Sequence, residues 1–294
     1  MQAFERRHPW VNFIFFACAA ILSALCLHPV FLVISLVSSL AFAVANRGKT
    51  ALKTFFCALL PAAVFVVGLN FLTAHYGVTV LGTLKNGNSL TAESLAYGSA
   101  LAGAIVSLLL WFISFNKIMT EEKILHLTGR LFPGLTFFIM SVLRFVPMYS
   151  VMLKETQQAR LALDPDRSYN RAGKFKTALA SLSGVITRAL ESSVETADSM
   201  KGRGYGVRRR KSYSQYKLTP FDVLFSAFMI LLFSLIILLR HFGAGAVSYN
   251  PIIYIHEFDI NTAITAVLYT LFMFTPLIYD LIQVIKWHRL YSKI

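Results

Sequence analysis

Two short motifs hold the residues of this chain that are best suited to specific recognition, and each is built around an arginine. The first motif is Ala159-Arg160-Leu161, and the second is Gly202-Arg203-Gly204. A guanidinium group at the exposed end of a helix can donate paired, charge-assisted hydrogen bonds to a carboxylate in the groove of another protein. The two motifs therefore predict docking points for partner proteins, and the chemistry is recognition rather than catalysis.

An ordinary structural role also accounts for either arginine taken alone. A cation near the C-terminal end of a helix interacts favourably with the helix dipole. Asp164-Pro165-Asp166 follows the first motif and is typical of a helix end, and the glycines of the second motif also end helices. Because the same arrangement occurs twice within one basic stretch, we favour docking over simple capping.

The familiar signatures of catalysis and of metal binding are absent from the sequence. It contains no Gly-x-Ser-x-Gly, no His-Glu-x-x-His and no paired catalytic carboxylates. The three cysteines lie in apolar segments without a Cys-x-x-Cys pair, and the seven histidines are scattered along the chain. We therefore expect a protein that is not an enzyme and that has no cofactor and no metal site.

The composition indicates an integral membrane protein. Of the 294 residues, 56% are hydrophobic and 14% are charged, with a mean hydropathy of +0.61. A soluble domain carries about 25% charged residues, and apolar runs of about twenty residues are long enough to cross a bilayer. Six transmembrane helices are predicted, namely Trp10–Leu27, Pro29–Ala45, Thr54–Thr73, Leu95–Asn116, Phe221–Leu239 and Thr262–Ile285.

The distribution of positive charge predicts the orientation of these helices. The net charge of +14 would suggest nucleic-acid binding in a soluble protein. With six spans, however, all but two of the 28 lysines and arginines, Lys85 and Arg240, fall on the side of both chain ends. Positive residues in short loops mark the cytoplasmic face. Both termini are therefore predicted to be cytoplasmic, with the lipid bilayer rather than nucleic acid as the charged partner.

Three regions follow from this arrangement: transmembrane helices in 1–116, a basic region with the two motifs in 117–217, and transmembrane helices in 218–294. In the basic region, periodicity predicts two long helices, Pro133–Arg160 and Lys176–Met200. The second is too polar to cross lipid comfortably, since a charge at a helix centre costs about 2.5–3.5 kcal/mol. We expect both helices at or below the cytoplasmic interface, although two further crossings would give the same final topology.

Each of the two long helices has a distinctive internal pattern. The first contains Arg144 and Pro147 within an apolar stretch, and the proline predicts a kink that serves either packing or a functional hinge. The second has apolar residues at three- and four-residue steps, including Leu179, Leu182 and Ile186. That stripe predicts one face of the second helix for apolar surroundings and an opposite face for water.

The stretch 137–206 resembles the T component of energy-coupling factor (ECF) transporters, the EcfT/CbiQ family. The resemblance rests on Gln157–Leu161, on Leu143–Pro147 and on Ala197–Tyr205. Members of this family carry two Ala-Arg-Gly-like triplets at the tips of cytoplasmic coupling helices, the second usually followed by an aromatic residue, and Tyr205 fits that position. Two departures are Leu161, where glycine is common, and Gly202, where alanine is common.

The resemblance implies partners and a mechanism. Two cytoplasmic ATP-binding-cassette ATPases would each hold one coupling-helix tip, one through Arg160 and the other through Arg203. Their ATP-driven closure would move the coupling helices and tilt a separate substrate-binding membrane subunit, the S component, which would release a vitamin or a metal ion inward. The chain itself would be a non-catalytic, multi-pass protein of the plasma membrane.

Two other classes of membrane protein share this hydropathy. A self-sufficient secondary transporter would show inverted repeats and charges near the bilayer midplane, and the sequence has no convincing repeat and few charges within its spans. A membrane enzyme acting on lipid-linked substrates would need clustered carboxylates or histidines at the interface, and none cluster in the sequence.

Overall fold

The computed structural model describes residues 3–74, 77–83, 89–163, 171–207, 216–250, 252–255 and 259–291. Over these residues the prediction of an all-α membrane protein is confirmed, because six helices are long and apolar enough to cross a bilayer by length and composition. The helices are α1 Pro9–Leu25, α2 Pro29–Arg47, α3 Lys49–Thr54, α4 Leu60–Thr73, α5 Ala92–Ile118, α6 Glu121–Leu131, α7 Pro133–Leu163, α8 Arg171–Gly202, α9 Pro220–His241 and α10 Ile260–Tyr291.

Five of the six long apolar helices match predicted spans, and the sixth is α7 in place of the shorter α1. α2, α5, α9 and α10 coincide with predicted spans, and so does Lys49–Thr73, in which a π-helical turn at Phe55–Leu59 joins α3 to α4. α1 is apolar but has only 17 residues. The sixth long apolar helix is α7, which was predicted to lie at the cytoplasmic interface; its apolar residues are concentrated before its polar tail.

Tertiary contacts divide the chain into two compact units. Unit 1 comprises Met1–Ile124 and Tyr216–Ile294, and unit 2 comprises Leu125–Gln215. The N-terminal and C-terminal helices therefore pack together, although they are far apart in sequence. Most of the basic region that carries the two arginine motifs belongs to the other unit.

A cluster of aromatic side chains forms the core of unit 1. The rings of Phe16, Phe42 and Trp111, from α1, α2 and α5, have centroids 5.7 to 6.1 Å apart. Phe15 stacks on Phe272 of α10 at 5.6 Å. Lipid is as apolar as this interior, so close packing is the main attraction between the helices. Each aromatic pair contributes about 0.5–1.5 kcal/mol beyond the area that it buries.

The segment before α1 is hydrogen-bonded to α10 and to the first turn of α6. The N–H of Phe4 donates to Oδ1 of Asp280 in α10 at 2.8 Å. From α6, Nζ of Lys123 donates to the carbonyls of Glu5 and of Ile118 at the end of α5, the latter at 2.8 Å. Burial lowers the pKa of the Lys123 ammonium, and attraction by the Glu5 carboxylate partly offsets this. These bonds bring the segment before α1, the end of α5 and the start of α6 together at one end of unit 1.

Two short hairpins lie at the opposite end of unit 1, each in a stretch between two predicted spans. β1 Val80–Thr83 pairs antiparallel with β2 Ser89–Thr91, and β3 Val247–Ser248 pairs antiparallel with β4 Tyr254–Ile255. Tyr249, directly after β3, donates its hydroxyl to the carbonyl of Leu27 at 2.9 Å. The β3–β4 hairpin therefore packs on the turn between α1 and α2.

Candidate docking site

The long helices of unit 2, α7 and α8, form an antiparallel pair. The hydroxyls of Tyr149 in α7 and Ser192 in α8 lie 3.4 Å apart. The ring of Phe137, nearer the start of α7, contacts the ring of Tyr205, which follows the end of α8. The contact nearer the start of α7 thus involves a residue nearer the end of α8, so the two helices run in opposite directions. The predicted helix stop at Asp164-Pro165-Asp166 lies outside the described residues.

Arg160 lies in the last turn of α7, which ends at Leu163 rather than at the predicted Arg160. The side chains of Arg160 and Ala159 are exposed, and Leu161 is half-buried. Nη2 of Arg160 lies 3.8 Å from the position that a Cβ would take at Gly184 in α8. The guanidinium therefore lies over a residue of α8 that has no side chain, and no described residue accepts a hydrogen bond from it.

Arg203 is the residue at which α8 gives way to a tight turn. The N–H of Tyr205 donates to the carbonyl of Met200 at 3.0 Å, and the N–H of Gly204 donates to the carbonyl of Lys201 at 2.9 Å. This pair of bonds is the Schellman motif, which needs a left-handed residue after the cap. Gly204 fills that position with φ +81°. The turn leaves the Arg203 side chain exposed at the end of the helix.

Gly202, unlike Gly204, has no left-handed backbone conformation that would require glycine. It lies in the last turn of α8, and a Cβ at this position would meet no atom within 4 Å. An alanine at this position would therefore fit without strain.

The structure places the two arginines at opposite ends of the α7–α8 pair and does not bring them together. Each lies at the C-terminal end of its own helix, and the C-terminal ends of antiparallel helices point in opposite directions. Gly184, beneath Arg160, is separated from Arg203 by roughly 19 residues of α8, or about 28 Å at 1.5 Å per residue. The motifs thus form two separate sites.

Of the other residues on which the resemblance rests, Tyr205 lies directly after the Arg203 tip. Its ring packs on that of Phe137, with centroids 5.6 Å apart. Arg144 and Pro147 are exposed in the middle of α7, which continues through the proline. Along the helix they are about 20 Å or more from Arg160. Their roles stay predictions.

The buried face of α8 differs from the apolar stripe that the sequence predicted. The most buried side chains of α8 are four residues apart and are Thr177, Ser181 and Val185. Leu179, Leu182 and Ile186 are between 43% and 51% exposed. Short side chains let helices approach closely. The larger apolar residues are left on a surface that the described part of the chain does not cover.

Two residues of the candidate sites were not predicted from the sequence. Gly184 leaves space for Arg160, and Phe137 packs on Tyr205. Each acts across the helix pair on a residue that is distant in sequence, so no local pattern marks it. Among the described residues, no group of three or more histidine, cysteine or acidic side chains is arranged to hold a metal ion. The sequence matches no protein-family model and no curated protein.

Proposed function

We propose that this chain is the membrane-embedded coupling subunit of an ECF-type importer. Two cytoplasmic ATP-binding-cassette ATPases dock on the α7–α8 pair, one at Arg160 and the other at Arg203. ATP is hydrolysed by those subunits, and this chain transmits their motion to a separate substrate-binding membrane subunit that takes up a vitamin or a metal ion. The chain resides in the plasma membrane with both termini in the cytoplasm.

The observation that carries this proposal is the placement of one exposed arginine at each end of a single helix pair. Two arginines about 28 Å apart along α8 are too widely spaced to enter one groove together. They suit two partners, each offering a carboxylate to one guanidinium. Antiparallel pairing also means that a movement of either partner is passed directly to the helix bound by the other.

The surroundings of both arginines support a role in docking. Arg203 is presented by the turn at Gly204, and Arg160 lies over Gly184. Both side chains are exposed, so a partner can reach them without rearranging unit 2. Arginine is also a common anchor of protein interfaces.

Exposed apolar residues on the same helices support contact with a membrane partner or with lipid. Phe138 in α7 and Leu190 in α8 are 65% and 64% exposed. Apolar surface of this kind on long helices is normally covered by another protein or by acyl chains. The helix pair thus has a charged residue at each end for soluble partners, and exposed apolar residues for a membrane protein or for lipid.

Co-purification tests the proposal directly. The tagged chain is co-expressed with candidate ATP-binding-cassette ATPases of the same organism and extracted in mild detergent, and wild type is compared with Arg160→Glu, Arg203→Glu and the double variant. Arg188→Glu, at an exposed position of α8 outside both motifs, is the matched control. Reversing a charge in a paired interface costs several kcal/mol. Each single variant should therefore lose at least about tenfold in ATPase affinity for one tip.

The proposal requires retention of ATPases by the wild type and by Arg188→Glu, and their loss from the double variant. A wild type that retains no ATPase but transports a substrate alone would show a self-sufficient transporter. Equal loss from Arg188→Glu and from the motif variants would show that overall charge, and not two defined tips, holds the ATPases.

A further inference from the structure

We propose that unit 1 binds the phosphate group of an anionic phospholipid, at the end that holds the segment before α1. A cavity of about 660 Å³ opens there between that segment and the last turns of α10. Its polar lining consists of Arg6, Arg7, Tyr279, Gln283, Trp287 and His288. This site is separate from the docking arginines, which belong to unit 2.

The guanidinium of Arg7 is held in a fixed orientation in the wall of this cavity. Nη1 lies 3.2 Å from Oδ1 of Asp222, and Nε and Nη2 both donate to the hydroxyl of Tyr279, the former at 2.7 Å. The ring centroids of Phe221 and Tyr279 lie 4.5 and 4.9 Å from Cζ of Arg7. Salt bridging, hydrogen bonding and cation–π contact therefore act on the same group.

These contacts leave Arg7 able to bind a further acceptor. Arginine has five N–H donors, and two of them, one on Nη1 and one on Nη2, have no acceptor among the described residues. A planar guanidinium with two adjacent N–H groups matches two oxygens of a phosphate. Because the group is already oriented, little rotational freedom is lost when the phosphate binds.

The charge of the cavity favours an anion. Its ionisable lining consists of Arg6, Arg7, His288 and the Tyr279 phenol, and no carboxylate lines its described walls. Asp222 forms a salt bridge with Arg7 but is not among the residues that line the cavity, whereas Arg6 and His288 are. The indole N–H of Trp287 and the amide of Gln283 add neutral donors.

One wall of the cavity is apolar, and this favours a lipid over a free anion. Val284 lines the cavity, and Trp287 beside it is 63% exposed. One turn earlier on α10, Leu281 is an exposed apolar residue of the membrane span. Tryptophan near the end of a transmembrane helix is typical of the headgroup level of a bilayer. A phospholipid can therefore place its phosphate at Arg6 and Arg7 while its acyl chain follows Leu281.

Native mass spectrometry of the detergent-purified full chain tests this site by titration with phosphatidylglycerol or phosphatidylcholine. The test variant is Arg6→Gln/His288→Gln, which keeps the anchored Arg7. The matched control is Lys286→Gln/Arg289→Gln, which removes at least as much charge from positions outside the cavity lining. We expect one tightly bound phosphatidylglycerol, at least fivefold weaker binding in the test variant, and a change of less than twofold in the control.

A second variant, Trp287→Ala, separates a lipid site from a site for free anions. It should weaken phosphatidylglycerol at least threefold, because the apolar wall is lost, while melting temperatures confirm that the variants are folded. Three results would overturn the proposal: phosphatidylcholine binding as tightly as phosphatidylglycerol, equal weakening in test and control variants, or complete displacement of the lipid by millimolar inorganic phosphate.

Discussion

Phe137, in the second turn of α7, and Tyr205, two residues beyond Arg203, pack ring against ring with planes inclined by 31°. This contact joins the beginning of one long helix to the end of the other. It also holds the residue that follows the turn at Gly204. The aromatic pair therefore determines where the Arg203 tip lies relative to α7.

Removing both rings should reveal a direct coupling between them. We expect a double-mutant cycle of Phe137→Ala and Tyr205→Ala to give a coupling free energy of about 0.5–1.5 kcal/mol, as is typical of aromatic pairs. The measurement is chemical unfolding of the purified chain in mild detergent. Phe138→Ala is the control, because Phe138 is an exposed neighbour; a similar coupling of Phe138 to Tyr205 would contradict the contact.

Alanine should have opposite effects at the two glycines of the second motif. At Gly204, where φ is +81°, it costs about 1–2 kcal/mol. At Gly202, a helical position with open space, it stabilises by about 0.5–1 kcal/mol. Hydrogen exchange of the amides of Gly204 and Tyr205 reports on the turn directly. We expect faster exchange in Gly204→Ala only; unchanged protection there would rule out a required left-handed residue.

A large side chain at Gly184 should displace Arg160 without altering the motif itself. A methyl group would lie 3.8 Å from Nη2, an ordinary contact, so Gly184→Ala should keep ATPase docking. Gly184→Leu should weaken it at the Arg160 tip by about tenfold, equivalent to about 1.4 kcal/mol. ATPase binding is measured in an Arg203→Glu background, which isolates that tip. Ser183→Leu, at the neighbouring exposed position, is expected to bind normally.

The prediction for Gly184 depends on the proposed function, and the Ser183→Leu control separates a specific role of Gly184 from a general effect of added bulk. If Gly184→Leu and Ser183→Leu weaken binding equally, added bulk on α8 interferes generally and Gly184 has no particular role. If neither has an effect although Arg160→Glu abolishes binding, the arginine reaches its partner from a different rotamer than the one over Gly184.

Loss of Arg7 should destabilise unit 1 by leaving a buried carboxylate without its partner. The Asp222 side chain is only 5% exposed and also completes a capping box with Thr219 at the start of α9. Arg7→Met should lower the free energy of unfolding by about 3 kcal/mol, since unpaired buried charges are costly. Arg7→Met/Asp222→Asn should regain part of that loss, because the charge is removed and a capping side chain is kept.

Thermal unfolding in detergent, followed by tryptophan fluorescence, compares these variants. Arg6→Met serves as the control, because it removes the neighbouring arginine, whose side chain is exposed; we expect it to melt close to the wild type. A double variant that is less stable than Arg7→Met alone would show that the salt bridge is not the source of the destabilisation.

The spanning helices were predictable because lipid imposes both length and composition on them. α5, observed at Ala92–Ile118, was predicted at Leu95–Asn116, and the missing first turn is capped by Thr91, a polar signal outside the apolar run. α7 was correctly predicted to begin at Pro133, since proline suits the first turn of a helix. α6 was not predicted, because it is short and largely polar.

The placement of Arg160 and Arg203 at opposite ends of one helix pair could not be predicted from the sequence. Arg160 and Arg203 were recognised as residues at helix ends, but local patterns do not contain the pairing of α7 with α8. Opposite placement follows only once Tyr149 is known to contact Ser192. The same reason explains Gly184, which looks like an unremarkable small residue until the helix across from it is known.

The bond from the amide of Phe4 to Asp280 also constrains the order in which the protein is assembled. The two residues are 276 positions apart, and Phe4 is fully buried in the core. At a synthesis rate of about 5–20 residues per second, its acceptor emerges on the order of 15–50 s later. This bond can therefore form only after Asp280 of α10 has been made. A nascent chain that stalls before α10 lacks this bond, and the segment is then held only through Lys123 of α6 and Asp222 of α9.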